Sequence, residues 1–126
     1  MPGTYEIFVQ MEFSAAHFLR GYKGNCAGVH GHNWIVEVFV RCPGLNETGI
    51  GIDFRDVRKA VKDVLDELDH ADLNAHPAFQ TVNPTSENIA AFLYRQLSGR
   101  INSDSVRVSR ITVSETPGAG VIYSEE

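Results

Sequence analysis

The chain has 126 residues, 43% of them hydrophobic and 21% charged, with a net charge of −5. A mixture of that kind and size buries enough surface for one core without a disulfide or structural metal, which predicts a single domain over residues 1–126. The acidic balance, with Arg and Lys scattered singly, argues against nucleic acid as the main partner, and no apolar run approaches the ~20 residues that span a bilayer.

The first residues, MPGTYEIFVQMEF, have neither the basic start nor the continuous apolar run of an export signal, so a cytoplasmic location is expected. From Thr4 to His17 the apolar residues fall mainly on odd numbers: Tyr5, Ile7, Val9, Met11, Phe13 and Ala15. A period of two is the mark of a half-buried strand. The Gly-rich stretch RGYKGNCAG then makes a loop. From His30 to Cys42 the apolar side switches to even numbers, with Trp34, Val36, Val38 and Val40, which predicts a second strand antiparallel to the first.

CPGLNETGIGIDF reads as turn material. Asp53 is placed to cap a helix whose stripe is Val57, Val61, Val64, Leu65 and Leu68. HADLNAHPAFQTVNP breaks that pattern with two prolines. A second helix starts at Thr85 or Ser86, buries Ile89, Phe92, Leu93 and Leu97, and ends near Gly99. Strands over Val106–Glu115 and Gly120–Ser124, around TPGAG, close the chain. The order strand, strand, helix, helix, strand, strand describes an α+β fold: a four-stranded antiparallel sheet with two helices on one face. Its two free edges invite pairing with further copies.

The residue types that carry chemistry gather around NCAGVHGHNW. His30 and His32 stand two apart at the start of a strand, so both side chains take the same face. His17 ends the first strand on the parity of its apolar residues, and antiparallel pairing would bring it to the same point. Three imidazoles suit zinc and leave a fourth position for water or substrate; the plainer alternative is a pair of polar turn histidines. Gly31 between the two is read as permitting close backbone approach. His76, before Pro77, reads as a surface residue.

Cys26 lies in the loop joining the two histidine-bearing strands. It is either a thiol activated by neighbouring imidazoles or an inert loop cysteine. Cys42 continues a strand parity and is expected to pack; both cysteines read as thiols, with a Cys26–Cys42 disulfide as the alternative. Asp69–His70 pairs a carboxylate with an imidazole, as proton transfer near neutral pH requires. Alternatively, His70 answers a helix dipole. Glu87 fits the first turn of a helix as a simple capping acid. Glu115, at a strand end before Pro-Gly, has less structural reason to be acidic. A carboxylate there can accept two hydrogen bonds from the N–H/NH₂ edge of a pterin or guanine.

FSAAH at 13–17, CAGVHGH at 26–32, LDH at 68–70, PTSEN at 84–88 and SE at 114–115 together resemble the 6-pyruvoyl-tetrahydropterin synthase family. Their order and spacing look most like its bacterial carboxy-forming branch, in queuosine biosynthesis. The resemblance implies a tunnelling fold (T-fold), in which small subunits join their sheets into a barrel, as a homohexamer of two stacked trimers. It implies a Zn²⁺ ion on His17, His30 and His32, and Cys26 as acid/base thiol. Asp69 and His70 would form a proton relay approaching from a neighbouring subunit. Glu115 would anchor the pterin ring, helped by Thr85, Ser86 and Glu87.

The implied substrate is 7,8-dihydroneopterin triphosphate. The implied products are 6-carboxy-5,6,7,8-tetrahydropterin, acetaldehyde and triphosphate, with no nicotinamide, flavin or other external reductant. A sister activity in the family eliminates triphosphate without cutting the side chain and leaves a 6-pyruvoyl product. The cysteine before HGH, with no glutamate in the gap, argues against the family's aldolase variants. Arg20 and Lys23 are the candidates to meet the triphosphate. Phe18 stands where many relatives carry a basic residue, directly after the first metal histidine. A non-catalytic zinc module, with Cys26 as fourth ligand, is the reading from a different class.

Overall fold

The computed structural model describes residues 3–22 and 28–125. Strands β1 (Tyr5–His17) and β2 (His30–Cys42) pair antiparallel along their whole length, Tyr5 opposite Cys42 and His17 opposite His30. Both follow the predicted parity: Val9, Phe13, Ala15 and His17 are buried on β1, and Trp34, Val36, Val38 and Val40 on β2. Cross-strand partners share a face, so one register places every apolar residue of both strands on the same side.

Helix α1 (Phe54–Leu65) starts on the Asp53 cap, whose carboxylate accepts from the Arg55 N–H at 2.8 Å. It ends at Leu65, short of the predicted stripe; Leu68 is still fully buried, from the turn beyond. Helix α2 (Ser86–Ile101) is capped by Thr85, whose hydroxyl accepts from the Asn88 N–H at 3.1 Å. Its buried stripe is Ile89, Ala90, Leu93, Tyr94, Leu97 and Ile101. Phe92 is only partly buried and packs instead against Phe79 and His76.

Between the helices lies β3 (Ala71–Asp72), two residues parallel to Ala15 and Ala16 of β1. Two short 3-10 turns follow, Leu73–Ala75 and Pro77–Phe79. Strands β4 (Arg107–Thr116) and β5 (Ala119–Tyr123) complete a five-stranded sheet in the order β3-β1-β2-β4-β5. The expected four antiparallel strands are all present. The fifth escapes the sequence because two residues carry no period.

The core lies between the helices and one sheet face, which leaves Phe8 and Ile122 exposed on the other. Cys42 packs as expected: it is fully buried, burial pushes its thiol pKa up, and a Cβ at Gly51 would meet its side chain at 2.8 Å. No helix among the described residues is long and apolar enough to cross a membrane.

Candidate metal centre and its surroundings

His17, His30 and His32 converge on one point at the end of the sheet, each offering a ring nitrogen within 4.8 Å of the others. Strand geometry alone accounts for this, because His17 faces His30 across the ladder and His32 lies two residues further along the same face. Trp34 is the next residue in that row. Its ring packs 4.9 Å from the His17 ring and 5.2 Å from His32, and its indole N–H donates to the Ala15 carbonyl.

Main-chain carbonyls orient two of the rings. His17 Nδ1 lies 2.7 Å from the Pro84 carbonyl oxygen, and His30 Nδ1 lies 2.7 Å from that of Gly28. A carbonyl only accepts, so each Nδ1 carries the proton and each Nε2 is left with a bare lone pair. Those two Nε2 atoms stand 3.0 Å apart. Lone pairs at that distance repel unless a cation or proton lies between them; tetrahedral zinc, with bonds of ~2.0–2.1 Å, holds its ligands about 3.3–3.4 Å apart.

His32 Nε2 is buried without a hydrogen-bond partner, although the Glu115 carboxylate is 3.4 Å away. Burial is the first reason that His17 is held below the ordinary histidine pKa, which keeps it neutral and able to ligate. An orphaned nitrogen, two opposed lone pairs and outer-shell carbonyls are what an imidazole-binding metal such as zinc needs. The residues fit the ion.

Glu115 reaches this point through a β-bulge. Ser114 pairs with Gly120 and Thr116 with Ala119, so Glu115 is the extra residue of β4 and has no partner on β5. Bulges re-aim side chains in this way. The bulge also makes Gly120 necessary, since a Cβ there would meet the Val113 carbonyl at 2.9 Å. The Glu115 carboxylate stands 3.8 Å from His17 Nε2. It also lines a cavity of about 400 Å³ with Arg20, Tyr22, Thr85, Ser86 and Glu87. The hydroxyl of Thr85, rather than the acid of Glu87, caps α2.

Asp69 and His70 lie beyond the end of α1, not in its last turn, so the helix dipole does not explain the histidine. His70 has φ +57°, an unusual backbone for a non-glycine residue and one that often marks a functional site. Asp69 Oδ1 accepts from the Ser14 N–H at 2.9 Å, while Oδ2 lies 3.0 Å from His70 Nδ1. The Ser14 N–H, then the His70 ring, hold Asp69 below the usual carboxylate range. His70 is 81% exposed and shares an open cavity of about 540 Å³ with Ser14, Gly31, His32, Asn33 and Asp72. The two cavities therefore flank the histidine cluster, one through His32 and the other through Glu115.

Several expectations are corrected. A Cβ on Gly31 would meet only the Ala15 carbonyl, at an ordinary 3.8 Å, so no close approach within the subunit requires glycine there. His76 is no surface residue: its side chain is 15% exposed, caps the Pro77–Phe79 turn by accepting from the Ala78 N–H, and meets Glu67 at 3.3 Å. Arg20 spends its guanidinium on main-chain carbonyls, of Phe79 at 2.8 Å and Asn74 at 3.1 Å. Cys26 and Lys23 lie outside the described residues. The Pro84 carbonyl and the Ser14 N–H were not legible in the sequence, since main-chain groups leave no mark in residue type.

A helix-backed antiparallel sheet with three histidines converging at its end defines a class of small α+β proteins with a site able to hold a metal. The structure of Caenorhabditis elegans 6-pyruvoyl tetrahydropterin synthase superposes with a TM-score of 0.88 at 28% identity, covering 98% of this chain and 97% of its own. The family described as 6-pyruvoyl tetrahydropterin synthase matches residues 6–126, and the chain belongs to it. An Archaeoglobus fulgidus protein named putative 6-carboxy-5,6,7,8-tetrahydropterin synthase is 37% identical over 109 residues, 86% of each chain. The Bacillus subtilis 6-carboxy-5,6,7,8-tetrahydropterin synthase is 30% identical over 129 residues, covering 97% of this chain and 86% of its own.

Proposed function

We propose that the protein is a zinc-dependent lyase converting 7,8-dihydroneopterin triphosphate to 6-carboxy-5,6,7,8-tetrahydropterin, with release of acetaldehyde and triphosphate, in queuosine biosynthesis. The observation that carries the metal-dependent chemistry is the three-histidine cluster with its orphaned His32 nitrogen. The carboxy product is supported by the names of the Archaeoglobus and Bacillus relatives. In this reading the enzyme works in the cytoplasm as a homohexamer, a dimer of trimers.

His17, His30 and His32 hold the ion, which supplies Lewis-acid polarisation of the substrate's side-chain hydroxyls. Glu115 accepts hydrogen bonds from the N–H/NH₂ edge of the pterin, within the cavity shared with Thr85, Ser86 and Glu87. The Asp69 carboxylate holds His70 through Nδ1, which leaves Nε2 to act as a proton acceptor and then donor. Cys26 is the second acid/base group, moving a proton between side chain and ring.

A second reading, 6-pyruvoyl-tetrahydropterin synthase activity, has the support of a C. elegans relative named putative 6-pyruvoyl tetrahydrobiopterin synthase, 32% identical over 118 residues. Mass spectrometry of the products formed by zinc-loaded protein separates the two. A 6-carboxy pterin with acetaldehyde is expected, whereas a 6-pyruvoyl product without acetaldehyde selects the second reading. No turnover by folded, metal-loaded protein would count against the substrate.

A further inference from the structure

The connection from Leu73 to Thr85 is tied to the tail of β1 by more than a surface loop needs. Asn74, only 6% exposed, accepts from the Phe18 N–H at 2.9 Å and donates to the Phe18 carbonyl at 3.0 Å. Asn83 does the same to Arg20, accepting at 2.9 Å and donating at 3.0 Å. Two side-chain amides thus imitate strand pairing and prolong β1 past His17. Arg20 closes the ring from the other side, donating to the carbonyls of Phe79 and Asn74. A guanidinium held on neutral carbonyls, in a chain with 16 acidic residues, has been placed for geometry rather than for charge.

The residue that this ring delivers is Pro84, directly after Asn83, whose carbonyl holds His17 Nδ1. We infer that Arg20, Asn74 and Asn83 are positioning residues of the three-histidine centre. By fixing the Pro84 carbonyl they set the tautomer and orientation of His17, so that its Nε2 points at the metal. This rests on the metal-binding reading given above. Outer-shell partners of ligating histidines are commonly worth about 10–100-fold in metal affinity.

The test compares Arg20→Gln, Arg20→Lys and Asn83→Ala with the unaltered protein. Zn²⁺ affinity is measured by chelator competition, and melting of the metal-free form serves as control. Arg20→Gln and Asn83→Ala should weaken Zn²⁺ binding by about tenfold or more, with Arg20→Lys, which keeps charge but not the fork, recovering part of the loss. In a His17→Ala background the same substitutions should leave the residual affinity unchanged, because the ring acts through His17 alone. Equal losses in that background, or lowered melting with affinity intact, would overturn the inference. If Asn83→Ala does not fold, Asn83→Asp, which keeps the acceptor half of the clasp, carries the measurement. Unaltered protein that binds no Zn²⁺ would overturn the metal reading itself; normal binding by it and by every variant overturns only the positioning role.

Discussion

The three-histidine cluster and the Asp69–His70 pair sit at the same end of the sheet and are built by opposite rules. His17 is 1% exposed, on a long strand, with one ring nitrogen pinned to a carbonyl 67 residues away. His70 is 81% exposed, on a left-handed backbone, and the one polar partner of its ring among the described residues is the adjacent Asp69. The contrast shows that the three histidines able to hold a metal are preorganised within a single chain. The Asp69–His70 pair instead lies open, its ring exposed and held by the neighbouring carboxylate alone among the described residues.

The largest expected effect comes from breaking the preorganised half. His30→Ala should lower Zn²⁺ affinity by more than the about 10–100-fold that losing an outer-shell partner costs. Near-normal metal content in that variant would collapse the contrast. His70→Ala should act on the other half alone, cutting turnover by about 10²–10⁴-fold while Zn²⁺ affinity and melting stay put. A shift in metal affinity there would mean that the two regions are one site.

Stability should follow the same division. Trp34 is fully buried between the histidine rings and the core, so Trp34→Ala should cost about 3–5 kcal/mol in urea unfolding. Removing the exposed His70 ring should cost far less. The buried histidine also carries a pH signature. Burial first, then the neighbouring His30 and His32, hold His17 below its ordinary value, against the Pro84 carbonyl and Glu115. The unfolded chain therefore takes up a proton that the folded chain refuses. This contribution to stability is complete above about pH 6.5 and declines as pH falls through the lowered folded value. Melting of the metal-free protein should drop from about pH 7 to pH 5, and less so in His17→Gln. The smallest effect is at the α2 cap, where Thr85→Ala should cost about 1 kcal/mol in the same unfolding assay without touching metal affinity.

Much of the fold was legible because its long elements announce themselves by period. The parity of Val9, Phe13 and Ala15 against Trp34, Val36 and Val38 predicts both the pairing of β1 with β2 and the face that carries the core. Extended to His17, His30 and His32, the same parity predicts the cluster. Shorter features left weaker traces. β3 is two residues long, and α1 stops at Leu65 although Leu68 continues its spacing. His76 looks like a loop histidine until Phe79, Phe92 and Glu67 close around it.

By itself, then, the sequence determined the strand faces, the Asp53 cap of α1 and the convergence of three imidazoles, since these follow from residue spacing along continuous elements. Tertiary structure decided how those groups are aimed. The Pro84 carbonyl on His17, the Ser14 N–H on Asp69 and the bulge that turns Glu115 toward the histidines all join segments far apart in the chain. Such contacts depend on register and main-chain direction, which residue type alone does not encode.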